Sequence, residues 1–133
     1  GTAIPSNGIC PSLATDSWTF EIDGAFTTAA SSRMIFDVGG GGAGTSANVL
    51  WDVKGGAITL GALAKALGRM KTPGAMTIGT GGTEPFNCGT TGDFKFEIEG
   101  AFTMPADCTM TKPAGVEVEW VVDGAITLGA DVN

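Results

Sequence analysis

A ten-residue stretch is written twice in this chain, and no other feature limits the possible folds as much. Trp18-Thr19-Phe20-Glu21-Ile22-Asp23-Gly24-Ala25-Phe26-Thr27 matches Phe94-Lys95-Phe96-Glu97-Ile98-Glu99-Gly100-Ala101-Phe102-Thr103 at seven of ten positions. Downstream, Gly56-Ala57-Ile58-Thr59-Leu60-Gly61-Ala62 recurs unchanged as Gly124-Ala125-Ile126-Thr127-Leu128-Gly129-Ala130, and Gly74-Ala75-Met76-Thr77-Ile78-Gly79 is a weaker echo. The unit reads as a strand, a connection and a second strand, present twice.

Dipeptides such as Asp23-Gly24, Glu99-Gly100 and Asp123-Gly124 first suggest two-residue hairpin turns. Parity argues against that, because a hairpin would put Phe26 opposite Glu21, on the charged side of the ribbon. As one continuous strand, Trp18, Phe20, Ile22, Gly24 and Phe26 share a face, and Thr19, Glu21, Asp23, Ala25 and Thr27 share the other. Phe94 to Met104 and Val116 to Leu128 repeat the alternation. The expectation is therefore of long strands with a glycine at mid-length, where a missing side chain admits a sharp coil or another backbone. The first copy has one extra residue at Lys54-Gly55-Gly56, for which a β-bulge is expected, keeping Ile58 and Leu60 on the side of Trp51 and Val53.

Between the long strands, Met34, Phe36 and Val38 alternate as a shorter strand, and residues 39–44 are a glycine-rich loop. Leu60, Leu63, Leu67 and Met70 fall at helical spacing, which predicts a short helix over 61–70. The expected fold is all-β: an antiparallel β-sandwich or jelly-roll-like barrel built from two sequence repeats, with one short helical insertion. At 133 residues and 43% hydrophobic content, one domain over 1–133 is expected. Its parts are an extended arm over 1–17, repeat one over about 18–62, an insertion over about 63–80 and repeat two over about 88–130. A pseudo-twofold in sequence suggests a pseudo-twofold in space.

Charge and residue types limit the chemistry. With 7 basic against 14 acidic residues the net charge is -7, which repels phosphate backbones, so nucleic acid is not an expected partner. The basic residues that gather, Lys54, Lys65, Arg69 and Lys71, read as a solvated surface. No apolar run reaches membrane-helix length, and no membrane partner is expected. There is no histidine, so the commonest general base is missing, and Cys10, Cys88 and Cys108 alone do not make a four-ligand zinc site. Three buried thiols are the expected state of the cysteines, with Cys10 and Cys88 as the pair if a bridge forms.

Carboxylates two apart, Glu21 with Asp23, Glu97 with Glu99 and Glu117 with Glu119, have the strand spacing of a glycosidase pair or part of a calcium site. Their recurrence opposite every apolar position reads instead as a wet face. The glycine-rich stretches 39–44 and 79–82 lack the Gly-Lys-Ser/Thr ending of a phosphate cradle. Trp18, Trp51 and Trp120 are the right type for a sugar platform but sit on the apolar parity, where core packing is expected. No catalytic, cofactor-binding or metal-binding residue is assigned, and the chain does not read as an enzyme.

What remains suggests assembly. The expected function is a structural protein of a virion, a phage or virus capsid decoration (cement) protein whose partners are capsid protein or copies of itself in a homo-oligomer. The alternative is a secreted fibre, pilus or adhesin subunit at the cell surface that assembles by strand or arm exchange. A carbohydrate-binding module is a second alternative.

Overall fold

Alternation commits each repeated segment to an extended backbone, and the glycine partway along decides where that extension bends. The structure, a computed structural model, describes residues 17–32, 49–64, 68–80, 94–108 and 117–132. Strands come there in pairs: β1 (Trp18–Ile22) and β2 (Phe26–Thr27), β3 (Val49–Val53) and β4 (Ile58–Leu60), β5 (Arg69–Thr72) and β6 (Met76–Ile78), β7 (Phe94–Ile98) and β8 (Phe102–Met104), β9 (Val118–Val122) and β10 (Ile126–Leu128). Odd-numbered strands form one five-stranded sheet in the order β1-β3-β5-β7-β9, and even-numbered strands a second in the order β10-β8-β6-β4-β2. Every pairing is parallel. The described residues thus form five rungs, each giving one strand to either sheet, in the manner of a β-solenoid.

This corrects the expected antiparallel sandwich or jelly roll. Each segment read as one long strand is two strands in different sheets, divided by a bend at Asp23-Gly24, Gly55-Gly56, Pro73-Gly74, Glu99-Gly100 or Asp123-Gly124. The bend is not a hairpin, because β1 does not pair with β2. The extra residue of the first copy is absorbed at this corner, in the bend Lys54-Gly55-Gly56, where no ladder has to bulge. Ile58, Leu60 and Val53 are buried there. The helix predicted over 61–70 does not form: Leu60 ends β4, Leu63 sits exposed in a turn at φ 56° and Met70 is inside β5. Leu60 and Met70 are core residues of successive rungs, which gives them helical spacing without a helix. Because both copies run parallel within the same sheets, the duplication is a translation along the stack, and the expected twofold is absent. The strand predicted at 34–38, the loop at 39–44, Lys65, Leu67, Cys10, Cys88 and the arm up to residue 16 lie outside the described residues.

Glycine at the corner is a steric requirement. A Cβ on Gly74 would lie 2.6 Å from the carbonyl oxygen of Gly56, and one on Gly100 would lie 2.6 Å from the carbonyl carbon of Gly74. The rungs touch backbone to backbone at this edge.

Inward side chains stack in columns. Phe20, Trp51, Met70, Phe96 and Trp120 follow one another across the first sheet. Phe26, Ile58, Met76, Phe102 and Ile126 do so across the second. The aromatic rings repeat the duplication in space: Phe20 stacks on Trp51 at 4.5 Å and Phe26 reaches it at 5.3 Å, while Phe96 and Phe102 meet Trp120 at 4.1 and 4.6 Å. Such pairs add about 0.5–1.5 kcal/mol each beyond the area they bury.

The one buried polar side chain of the described core, Thr72, is satisfied by the corner above it. Its hydroxyl donates to the carbonyl of Gly56 and accepts from the Gly74 N–H at 3.1 Å. Thr72→Val, nearly the same shape, is therefore expected to lower stability by about 1–3 kcal/mol, because two backbone groups lose their partner. The check is a lower urea midpoint at unchanged slope.

Candidate functional site

Each sheet has an outer face, and the two differ in chemistry. On the first sheet, one outward column reads Glu21, Asp52, Lys71, Glu97, Val121, and the other includes Lys95 beside Glu119. Ion pairs lace it: Lys54 with Asp52 and, at 3.8 Å, with Glu21, and Lys95 with Glu97 at 3.5 Å and Glu119 at 3.6 Å. The hydrogen bond to Asp52 holds the Lys54 ammonium above the ordinary lysine range. Whatever it adds to stability is in place below that ordinary value and fades as the pH climbs through the raised one.

Two of the three carboxylate pairs considered from sequence are divided between a strand and a corner. Glu21 and Glu97 lie within strands, whereas Asp23 and Glu99 are carried off into the corner bends. Glu117 precedes β9, and Glu119 is tied to Lys95. Of the basic group, Lys54 is at a corner, and Arg69 and Lys71 are in β5. Among the described residues no group of three His, Cys, Asp or Glu side chains converges as a metal site would require. Trp51 and Trp120 pack against the core, and Trp18 is 40% exposed at the first rung. Cys108 is buried, its thiol donating to the Gly79 carbonyl at 3.5 Å.

The second sheet presents something the sequence reading passed over. Thr27 pairs with Thr59, Thr59 with Thr77, Thr77 with Thr103 and Thr103 with Thr127, so one threonine column crosses every rung. Buried Ile58, Leu60, Met76 and Ile78 flank it and fix its outward direction. At a strand spacing of about 4.8 Å, five threonines cover about 19 Å. No detectable similarity links this chain to a known protein family, a curated protein or a solved structure. The face must be read from its own chemistry.

The outward positions on either side of the column are small. Ala25, Ala57, Ala75, Ala101 and Ala125 precede the threonines by two residues. Their neighbours keep the ladder going, with Phe26, Ile58, Met76 and Phe102 each donating to the alanine carbonyl of the next rung at 2.9 to 3.0 Å. Two residues beyond the threonines stand Ala29, Gly61, Gly79, Pro105 and Gly129. Nothing charged and nothing large rises from this strip, and stacked identical side chains are a circumstance in which sheets stay flat. Threonine offers a methyl and a hydroxyl on one stiff rotor, so the column is a row of alternating apolar and hydrogen-bonding points.

The signal was present in the sequence. Gly-Ala-apolar-Thr occurs five times, at Gly24, Gly56, Gly74, Gly100 and Gly124, and threonine never varies, whereas the outward positions of the preceding strand mix Glu, Asp, Lys and Val.

Proposed function

We propose that the threonine face of the second sheet adsorbs to ice. The observation that carries this is the unbroken register of Thr27, Thr59, Thr77, Thr103 and Thr127 on a strip free of charge and bulk. A crystalline water surface differs from liquid water only in the regularity of its sites. A face that recognises it must repeat at lattice scale, hold water by hydrogen bonds without a charge imposing its own hydration, and lose little entropy on docking. Rung spacing supplies the repeat, hydroxyls the anchors, and methyls with alanines the walls between them. Stiff β-branched rotors keep the ordering cost low. Crystalline polysaccharide, the other regular surface of this scale, is bound by exposed aromatic platforms, and this strip has none.

Ice-affinity partitioning tests the reading. The protein is expected to enter slowly growing polycrystalline ice, and Thr77→Lys, at an exposed strand position, is expected to abolish this with an unchanged circular dichroism spectrum. Glu97→Gln on the opposite sheet should partition like the parent. Exclusion of the parent from ice, or equal partitioning of Thr77→Lys, would sink the idea.

An assembly role, in a virion or an extracellular fibre, stands as a second reading, favoured by the apolar end of the stack.

A further inference from the structure

Among the described residues the two ends of the stack are chemically alike, and no described strand covers either. At the fifth rung, β9 and β10 are the last strands of their sheets, each with one unpaired edge. Ile126 is 58% and Leu128 56% exposed. With Met104, Trp120, Val122 and Val132 they line an apolar hollow of about 270 Å³. At the first rung, Phe20, Ile22 and Phe26 are only half-buried. A sheet edge backed by exposed core is a template for another strand.

Gly24 says what kind of strand. At every other corner the glycine is required, because a Cβ would strike the backbone of the preceding rung. At Gly24 nothing among the described residues lies within 4 Å of where a Cβ would be, and its φ is not in the left-handed region. Nothing described in the chain explains glycine there. A rung beneath the first one, with its own corner against Gly24, would.

We propose that the fifth rung of one copy stacks beneath the first rung of a second copy, head to tail, extending both sheets. In the register that joins the internal rungs, Phe20 falls on Trp120 of the first copy, Ile22 on Val122, Phe26 on Ile126 and Gly24 on Gly124. Thr27 then follows Thr127, so the threonine column runs on across the junction. The chain's own residues 1–16 do not contain the Gly-Ala-apolar-Thr pattern such a rung needs, and the fifth rung does. Stacking of this kind leaves one open end on each side and does not close, so it yields filaments.

The two ends are blocked separately. Leu128→Lys disables the fifth-rung end, and Gly24→Val the first-rung end, where a Cβ has no described atom of its own copy within 4 Å. By light scattering after size exclusion, the parent's mass is expected to climb with concentration, and each variant is expected to stay monomeric with an unchanged unfolding midpoint. Mixed, the variants should form a dimer and nothing larger, since each keeps the one end the other needs. A parent that is monomeric up to millimolar concentration overturns the proposal. So does a mixture that stays monomeric, or an oligomer that survives both variants, the last marking association through the threonine face. Ice partitioning of monomeric Leu128→Lys stands apart from this result, because that variant keeps all five threonines.

Discussion

Gly100→Ala is expected to cost about 3 kcal/mol or more, at the upper end of what overpacking does, while Gly24→Ala, its equivalent in the sequence duplication, leaves stability unchanged or raises it by up to about 1 kcal/mol. The Cβ of an alanine at 100 would sit 2.6 Å from the carbonyl carbon and 2.7 Å from the carbonyl oxygen of Gly74. The obstacle is backbone, not the end of a side chain, and it is held in place by the hydrogen bond from Gly100 N–H to Gly74 O at 3.2 Å. Relief requires the rungs to part at the corner, which strains that bond and the β5–β7 ladder behind it. At Gly24 there is no described backbone to strike. Only the entropic effect remains, and alanine has less freedom to lose on folding. Denaturant midpoints of dilute samples of both variants decide the matter. Equal losses would mean that the corners are not stacked.

Side-chain parity was legible in the sequence and strand pairing was not, and both outcomes have physical causes. Ile22 and Phe26 do pack against the core and Phe20 stacks on Trp51, while Glu21 faces water, because alternation reports burial of one face. It does not report direction. Parallel sheets usually have both faces covered and read as continuous apolar runs, so alternating strands suggest antiparallel pairing. In this stack each parallel sheet keeps one wet face, and the usual inference inverts. The corner deceives in the same way. A chain that bends around a core keeps its inner residues inner, so Ile22, Gly24 and Phe26 hold their parity across the break as they would in a straight strand.

The threonine column went unread for a related reason. Threonine on the wet parity of a strand is ordinary, and only the fivefold invariance of Gly-Ala-apolar-Thr separates it from a generic surface. Counting two large copies, with Gly74 to Gly79 as an echo, hid the smaller unit. That echo opens on the corner and β6 strand of the third rung, and it is what places Thr77 between Thr59 and Thr103. Had the unit been taken as one rung, uneven spacing of the five copies would have pointed to loops of different length between stacked turns.

Phe20 and Phe96 are the same residue of the two copies, and their alanine variants are expected to differ by about 1–4 kcal/mol. Phe96 is 1% exposed. It lies between Met70 on one side and Trp120 on the other, its ring 4.1 Å from the indole and 9° from parallel. Removing it empties a site with packed neighbours above and below, for which a cost of about 3–5 kcal/mol is usual. Phe20 stacks on Trp51 from one side only and is already half-exposed, so its truncation forfeits part of one contact and opens no closed cavity, at a cost of about 1–2 kcal/mol. In a stack where each rung touches only its neighbours, the position of a lesion matters as much as its size, since a central rung couples the two halves and an end rung couples nothing. A twofold axis would have given the two phenylalanines the same surroundings. Equal losses for Phe20→Ala and Phe96→Ala, read from unfolding at a concentration where the chain is monomeric, would therefore restore the twofold and remove the solenoid. Unequal losses in the opposite order would place the end of the stack at the wrong rung.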